Sequence, residues 1–330
     1  MSAPRTRSEA PAFSDTRPRR ALLLHSRPDE VMGALAACEG LEWAAATTAD
    51  EVAPALERHD PEVVFSIKTS SFAGTAHATA LSGRSVRWFH VGGSGRDHLG
   101  TWDESRVTVT DCAGLLAPFL AERAIAGLLA LSTGLVEQVR AQAERRWEPT
   151  RFRPLAGRTM AVLGVGHTGG EVARSARALG MRVLGVRASG AAHVHVDEMF
   201  GPDGLDEVLP LADVLSIHLR LDASTRGAVD LGVLARLPAG ALVLNASRGA
   251  ILDADALLAA LERNVAGAWL DVFETEPLPP ASPLWAHPRV LVSPHCADQV
   301  EDFPARFAER FAALWRDARS RATTGKTSDE

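Results

Sequence analysis

An α/β fold built around a doubly wound parallel sheet is what this sequence predicts, and three observations predict it. Residues 161–186, AVLGVGHTGGEVARSARALGMRVLGV, run from an apolar strand through Gly164-x-Gly166-x-x-Gly169 into a helical pattern and out into a second apolar strand. From Met160 onward, six short apolar runs alternate with helical patterns, as parallel strands joined by crossover helices require. Residues 21 to 110 show the same alternation without a glycine fingerprint, which makes a second α/β unit.

The glycine turn reads residue by residue. Gly164 permits the tight turn, Gly166 lets the backbone approach a pyrophosphate, and Gly169 lets the helix pack closely on the strand. The helix that opens at His167 and Thr168 then offers free N–H groups and a positive dipole end to phosphates, so these two residues join the glycines as cofactor contacts. This is a Rossmann unit for a dinucleotide. NAD sites usually place an Asp or Glu after the second strand, on the ribose 2′-hydroxyl. Here Arg187 stands eighteen residues after Gly169, Ser189 follows it, and no carboxylate appears before Asp197. A guanidinium pairs with a phosphate in bidentate fashion, and a serine hydroxyl adds a donor, so the expected cofactor is NADP(H) by preference, with NAD(H) second. A solvated arginine at a strand end is the plainer alternative for Arg187.

In the first unit the expected strands are Ala21–His25, Leu41–Ala44, Val63–Ser66, Val86–Val91 and Val107–Thr110, each an apolar or β-branched run closed by turn residues. Helices Asp29–Cys38 and Asp50–Glu57 lie between them. A long apolar helix, Ala117–Leu131, continues in more polar form to about Arg146. Strand Met160–Leu163, helix Val172–Leu179 closed by Gly180, and strand Arg182–Val186 make the cofactor unit. Helix Gly204–Leu209, strand Val214–Leu219, helix Gly232–Leu237, strand Ala241–Asn245, helix Asp253–Arg263, and strands Gly267–Asp271 and Val290–Ser293 complete the sheet. An amphipathic helix, Phe303–Arg316, returns the chain toward the first unit.

With 330 residues, 46% hydrophobic and 23% charged, the chain is large enough for two domains with sizeable cores. Its formal net charge of −6 implies no broad basic surface, so neither nucleic acid nor an anionic membrane is an expected partner. Cys38, Cys112 and Cys296 are too few and too scattered for a disulfide framework or a zinc site. No metal is therefore expected, and the reducing cytoplasm is the expected location. Residues 1–20, rich in Pro, Arg and Ser with no apolar stretch, read as a disordered arm rather than a secretory signal, and 322–330 as a disordered tail. No apolar run approaches the ~20 residues a membrane span needs.

Ligands of open α/β sheets lie beyond the carboxyl ends of the strands. Three charged residues stand there: Arg248 in NASRG, Glu276 in DVFETEP and His295 in SPHCAD. An arginine fork suits a carboxylate and an adjacent carbonyl together. A histidine suits proton donation to the carbonyl oxygen as hydride reaches carbon, and a glutamate beside it orients the ring and favours its charged form. Any one of the three alone reads as an ordinary loop charge; together, after three strands of one cofactor sheet, they describe reduction of a 2-oxo acid.

At these residues the chain resembles the D-isomer-specific 2-hydroxyacid dehydrogenases, in particular those of glyoxylate/hydroxypyruvate reductase type. The resemblance spans most of residues 60–316 and is carried by APFLAE at 117–122, GVGHTGG at 164–170, NASRG at 245–249, GAWLDVFETEPLP at 267–279, SPLW at 282–285 and SPH at 293–295. It implies that Arg248, Glu276 and His295 are the catalytic residues, that Asp271 contacts the nicotinamide carboxamide and that His218 lies among the cofactor contacts. It also implies a flavodoxin-like substrate domain made of residues 21–114 plus 298–321, into which the dinucleotide-binding domain, 115–297, is inserted. Hinges would fall near Ala113–Pro118 and Ala297–Phe303, with catalysis in the cleft between the domains. The substrate carboxylate would meet the loop Lys68-Thr69-Ser70-Ser71-Phe72; Thr69, Ser70 and Ser71 are the candidate contacts, and an ordinary polar loop is an equal reading. The family implies a homodimer through the cofactor domain, with helix Ala117–Leu131 as its element, although burial within one subunit explains that apolar face equally.

Four residues depart from the family pattern. Arg187 replaces the usual Asp, Trp269 stands where a small residue is common, Arg220 where a Pro is common, and Arg96 where an apolar residue is frequent. Trp269 lies on a strand and reads as core filling; Arg96 suits the cleft or plain solvation. The expected function is hydride transfer between NADP(H) and a small 2-oxo/2-hydroxy acid of D configuration. The alternative is a dinucleotide-sensing binding protein or corepressor of the same fold. Formate dehydrogenases carry Gln in place of Glu276, and a methyltransferase leaves Arg248, Glu276 and His295 without a role. Many regulated phosphoglycerate enzymes of the family carry an extra C-terminal domain, which residue 330 leaves no room for; this disfavours them without excluding phosphoglycerate as substrate.

Overall fold

A computed structural model describes residues 9–13, 15–67, 72, 75–93, 96, 99–149 and 151–324. The chain divides into two compact units, one of Met1–Leu115 with Glu301–Glu330 and one of Leu116–Val300.

In the first unit β1 (Arg19–Leu24), α1 (Asp29–Leu35), β2 (Leu41–Ala46), α2 (Val52–His59), β3 (Val63–Ile67), α3 (Thr75–Ser82), β4 (Trp88–Gly92) and β5 (Thr108–Asp111) form a parallel sheet in the order β2-β1-β3-β4-β5 with its helices. β3 and β4 are buried along their whole length, as strands covered on both faces must be. Helix α3 went unread in the sequence because its TAHATALS composition carries no amphipathic stripe. The C-terminal helix, Phe303–Thr324, lays Phe307, Phe311 and Trp315 into this unit, where Phe311 stacks on Trp88 with centroids 4.8 Å apart. It extends well past the expected end at Arg316 and into the segment read as a tail, since ARSRATT has no helix breaker; residues 325–330 lie outside the described residues.

The expectation of a disordered arm over residues 1–20 is corrected for its second half. Arg19 and Arg20 begin β1, Arg17 and Arg19 converge on Glu62, and the Arg19 guanidinium lies 4.2 Å over the Phe13 ring. Arg321 also donates to the Ala10 carbonyl at 3.0 Å. The arginines of this segment are partners of the buried Glu62 carboxylate, which composition alone cannot show.

The second unit contains α4 (Ala117–Ser132), α5 (Leu135–Ala143), β6 (Thr159–Leu163), α6 (His167–Ala178), β7 (Arg182–Val186), β8 (Glu198–Phe200), α7 (Leu205–Val208), β9 (Val214–Ile217), α8 (Leu231–Leu234), β10 (Ala241–Asn245), α9 (Ala254–Leu261), β11 (Val265–Leu270) and β12 (Val290–Val292). All seven strands are parallel, in the order β12-β11-β10-β9-β6-β7-β8. β6 is where the winding reverses, so the carboxyl ends of β7 and β9 flank the turn that follows β6. β8 adds a seventh strand, too short to show a period. The single long helix expected from Ala117 toward Arg146 is two helices, because Gly134 at φ +70 takes a left-handed conformation that ends the first. α4 packs its Ala121, Ala124 and Leu128 inside this unit. Trp269 is 4% exposed and lies over Gly127, where a Cβ would come within 2.4 Å of the indole. The small residue missing from β11 is thus supplied by α4. Among the described residues no single helix is long and apolar enough to cross a membrane.

His90 lies fully buried in the first unit, stacked on Phe65, with Thr110 Oγ1 at 2.7 Å from Nδ1 and Cys112 Sγ at 3.3 Å from Nε2. Burial pushes its pKa down from 6.5 to about 3, with the Arg310 and Arg96 charges acting in the same direction. The native state therefore keeps His90 neutral at pH values where the unfolded chain binds a proton, and stability is lost as pH falls from 6.5 toward 3. Urea unfolding between pH 7 and pH 4.5 is expected to show a falling midpoint, with a shallower fall in His90→Asn; an equal slope in the variant contradicts the assignment.

Candidate active site

The turn after β6 is built from close backbone approaches. Gly164, at φ +94, donates to the Val186 carbonyl at 2.9 Å, and a Cβ on it would lie 2.5 Å from the His218 carbonyl oxygen. A Cβ on Gly169 would lie 2.2 Å from the Gly164 carbonyl oxygen, so helix α6 can sit this close to β6 only with glycine there. Gly166 faces open space, with nothing within 4 Å of a Cβ position. Two glycines are thus needed for packing and the third leaves room over the first turn of α6, where the N–H groups lack helical partners. This open cradle at a helix N-terminus fits the pyrophosphate of a dinucleotide. His167 is exposed and Thr168 half-buried in that first turn.

Arg187 follows β7 directly, and its Nε donates to Ser189 Oγ at 2.8 Å. The two residues read together in the sequence are brought together, in a turn closed by Gly190 N–H on the Arg187 carbonyl. His218 follows β9; its Nε2 is 2.8 Å from Ser216 Oγ, and its Nδ1 is buried without a hydrogen-bond partner. Burial pushes its pKa down to about 4, so the ring is neutral near pH 7.

At the other side of the sheet β10, β11 and β12 end side by side, and their last residues tie three loops together. Asp271, 2% exposed, accepts hydrogen bonds from Ser293 Oγ, from the Cys296 N–H at 3.1 Å and from the Ala297 N–H at 3.0 Å. The Asp271 carbonyl accepts the His295 N–H at 2.7 Å. His295 sits at φ +48, a left-handed conformation unusual for a residue with a side chain, held by these bonds on either side. Its Nδ1 lies 2.7 Å from Glu276 Oε2, while Glu276 Oε1 accepts the Phe273 N–H at 2.9 Å. A carboxylate only accepts, so Nδ1 carries the hydrogen. The side chains of His295 and Glu276 are 37% and 35% exposed, open enough for a ligand to reach.

Arg248 enters the cluster through its neighbour. Asn245, at the end of β10, accepts from Ser247 N–H and Oγ and donates to the Arg248 carbonyl, and the Arg248 guanidinium donates to the Ser247 carbonyl at 2.8 Å. A Cβ on Gly249 would lie 1.9 Å from the Phe273 carbonyl carbon and 2.3 Å from Glu274 N, so the Arg248 loop and the Glu276 loop touch through bare backbone. Thr69, Ser70 and Ser71 lie outside the described residues. Asn245, Ser293 and Gly249 were not assigned roles from sequence; a polar residue closing an apolar strand was the available signal for the first two. Asp271 was read as a cofactor contact, and its carboxylate here is engaged in the loop bonds. Among the described residues no group of three His, Cys, Asp or Glu is arranged to hold a metal ion.

A family profile described as D-isomer specific 2-hydroxyacid dehydrogenase, NAD binding domain, matches residues 125–297. The chain belongs to the D-isomer specific 2-hydroxyacid dehydrogenase family. Its NAD-binding domain is the unit that carries the glycine turn. A family member of known structure, from Aeromonas salmonicida subsp. salmonicida A449, is 27% identical and superposes with a TM-score of 0.80, covering 94% of this chain and 97% of that one. A second, from Xanthobacter autotrophicus Py2 and solved in complex with NADPH and MES, is 28% identical with a TM-score of 0.74, covering 94% and 96%. A glyoxylate reductase of Korarchaeum cryptofilum is 33% identical over 216 residues, 62% of this chain and 64% of that protein's length.

The Gly249 contact yields a direct test. In Gly249→Ala the two loops must part, and unfolding free energy is expected to fall by about 2–3 kcal/mol in a urea titration; wild-type stability in this variant contradicts the described packing.

Proposed function

We propose that this family member is an NADPH-preferring reductase of a small 2-oxo acid of glyoxylate or hydroxypyruvate type, giving the D-2-hydroxy acid. The observation that carries the reading is the 2.7 Å bond between His295 and Glu276 on loops joined to that of Arg248. Arg248 holds the substrate carboxylate and draws charge from the adjacent carbonyl, as a planar fork of donors does. The dinucleotide, when bound at the glycine turn, supplies the hydride to the carbonyl carbon. His295 Nε2 gives its proton to the carbonyl oxygen, and Glu276 keeps the ring oriented and stabilises it while charged. Gly164, Gly166, His167, Thr168 and Gly169 receive the pyrophosphate, and Arg187 with Ser189 receives a ribose 2′-phosphate. The structural relative solved with NADPH and the relative named glyoxylate reductase support this choice of cofactor and substrate class.

We place the protein in the cytoplasm, on the sequence grounds of scattered free cysteines. We also propose a homodimer. α4 uses its apolar face inside one unit, whereas Leu135 and Val139 of α5, with Trp147 and Phe152 beyond it, are exposed at 50%, 58%, 96% and 58%. Four exposed large apolar side chains so close in sequence are the kind that a protein partner covers.

The function is tested by following oxidation of NADPH and NADH with glyoxylate, hydroxypyruvate, pyruvate, phenylpyruvate and 2-oxoisovalerate. Turnover with the smaller acids, a higher kcat/KM for NADPH, and a kcat lowered about 10²–10⁴-fold in His295→Ala are expected. Cofactor binding without turnover of any acid contradicts the reductase, and a clear NADH preference contradicts the role of Arg187. For assembly, light scattering is expected to find a dimer in the wild type and monomers in Val139→Glu with Trp147→Glu; a wild-type monomer rejects the homodimer.

A further inference from the structure

The glycine turn has a charged residue on each flank. On one side Gly164 bonds to the Val186 carbonyl, and the next residue is Arg187. On the other side Gly164 abuts the His218 carbonyl and Leu219 N, to which a Cβ would lie 2.5 and 2.8 Å, and the next residue is Arg220. The Arg220 backbone is fixed: its carbonyl accepts Thr225 Oγ1 at 2.6 Å, and Thr225 Oγ1 in turn accepts the Asp222 N–H at 2.9 Å. Asp222, the carboxylate of that turn, has Oδ1 engaged by Ser224 and Thr225. Among the described residues the exposed Arg220 guanidinium has no hydrogen bond and no ion pair. The backbone bond needs only a carbonyl, which the proline common at this position would also provide, so the turn does not require an arginine. What the arginine adds is an uncommitted positive charge one residue from the phosphate-binding turn.

We infer that Arg220 is a second anion-binding side chain of the dinucleotide site, acting with Arg187 from the opposite flank of the turn on the phosphates of the adenylate half. This rests on the dinucleotide reading given above and extends it. The strand order β9-β6-β7 sets the two arginines on the two sides of β6, and the N-terminus of α6 between them adds its own positive end. Guanidiniums converging from both sides neutralise phosphate charge without a lysine or a metal ion.

The test is calorimetric titration of the full-length protein with adenosine, ADP and 2′,5′-ADP. Arg220→Ala is expected to weaken binding of a phosphorylated probe by about tenfold, with adenosine unaffected. Arg220→Lys is expected to recover part of the loss. Arg236→Ala, which removes an exposed arginine paired with Asp206, is expected to bind like wild type and so separates local contact from net charge. A loss confined to 2′,5′-ADP assigns Arg220 to the 2′-phosphate, and a loss shared by ADP assigns it to the 5′-phosphates; either upholds the inference. Wild-type affinity of Arg220→Ala for both phosphorylated probes, or a loss equalled by Arg236→Ala, overturns it. The readout does not depend on turnover, so Arg220-dependent binding without reduction of any 2-oxo acid rejects the proposed activity alone. A wild type that binds no probe rejects the dinucleotide reading and this inference together.

Discussion

The carboxylate of Asp271 is the interaction on which the candidate site depends. It is buried, and a buried charge is tolerated only when donors surround it. Three donors do so here, all from the segment Ser293–Ala297, so satisfying the charge and folding the loop are one event. The loop that results puts His295 in a left-handed conformation, at a cost of about 1–2 kcal/mol for a residue with a side chain. That cost is borne by the bonds on both sides, and it turns the imidazole onto Glu276. Loss of the donors would release both the loop and the ring.

Much of this was legible in the sequence where side-chain type and spacing carry the physics. The glycine turn was readable because Gly164 and Gly169 answer steric demands, which the geometry shows as close backbone contacts, while Gly166 faces open space. Alternation of apolar runs with helical patterns was enough for the parallel sheet. Less legible were features that depend on distant partners. Asp271 in a strand-end DVF has no local sign that its donors lie more than twenty residues later. Residues 9–20 read as an arm because nothing near them in sequence shows that Glu62 awaits Arg17 and Arg19. Gly127 and Trp269 explain one another only once α4 lies on β11. The break at Gly134 was visible as a glycine, but a glycine within a helical pattern does not by itself end a helix.

The two sides of the second unit's sheet divide the labour. Around β6, bare backbone contacts hold an open cradle flanked by Arg187 and Arg220. Around β10, β11 and β12, polar side chains that close the strands bind the loops bearing Arg248, Glu276 and His295 into one cluster. Glycine serves both places for the same reason: Gly164 against His218, and Gly249 against Phe273, each allow backbone to meet backbone where any side chain would intervene. The neutral His218, with its Nδ1 buried, and the more open His295 show how position in the sheet sets what a histidine is free to do.

In the proposed reduction His295 and Glu276 act as one unit, with Glu276 working only through the imidazole. A double-mutant cycle on single-turnover glyoxylate reduction with saturating NADPH tests this directly, using His295→Ala, Glu276→Ala and the pair combined. The double variant is expected to be no slower than His295→Ala alone, because nothing remains for Glu276 to orient. Losses that multiply, each variant reducing the rate by its own factor regardless of the other, would show that the two residues act separately and would contradict it.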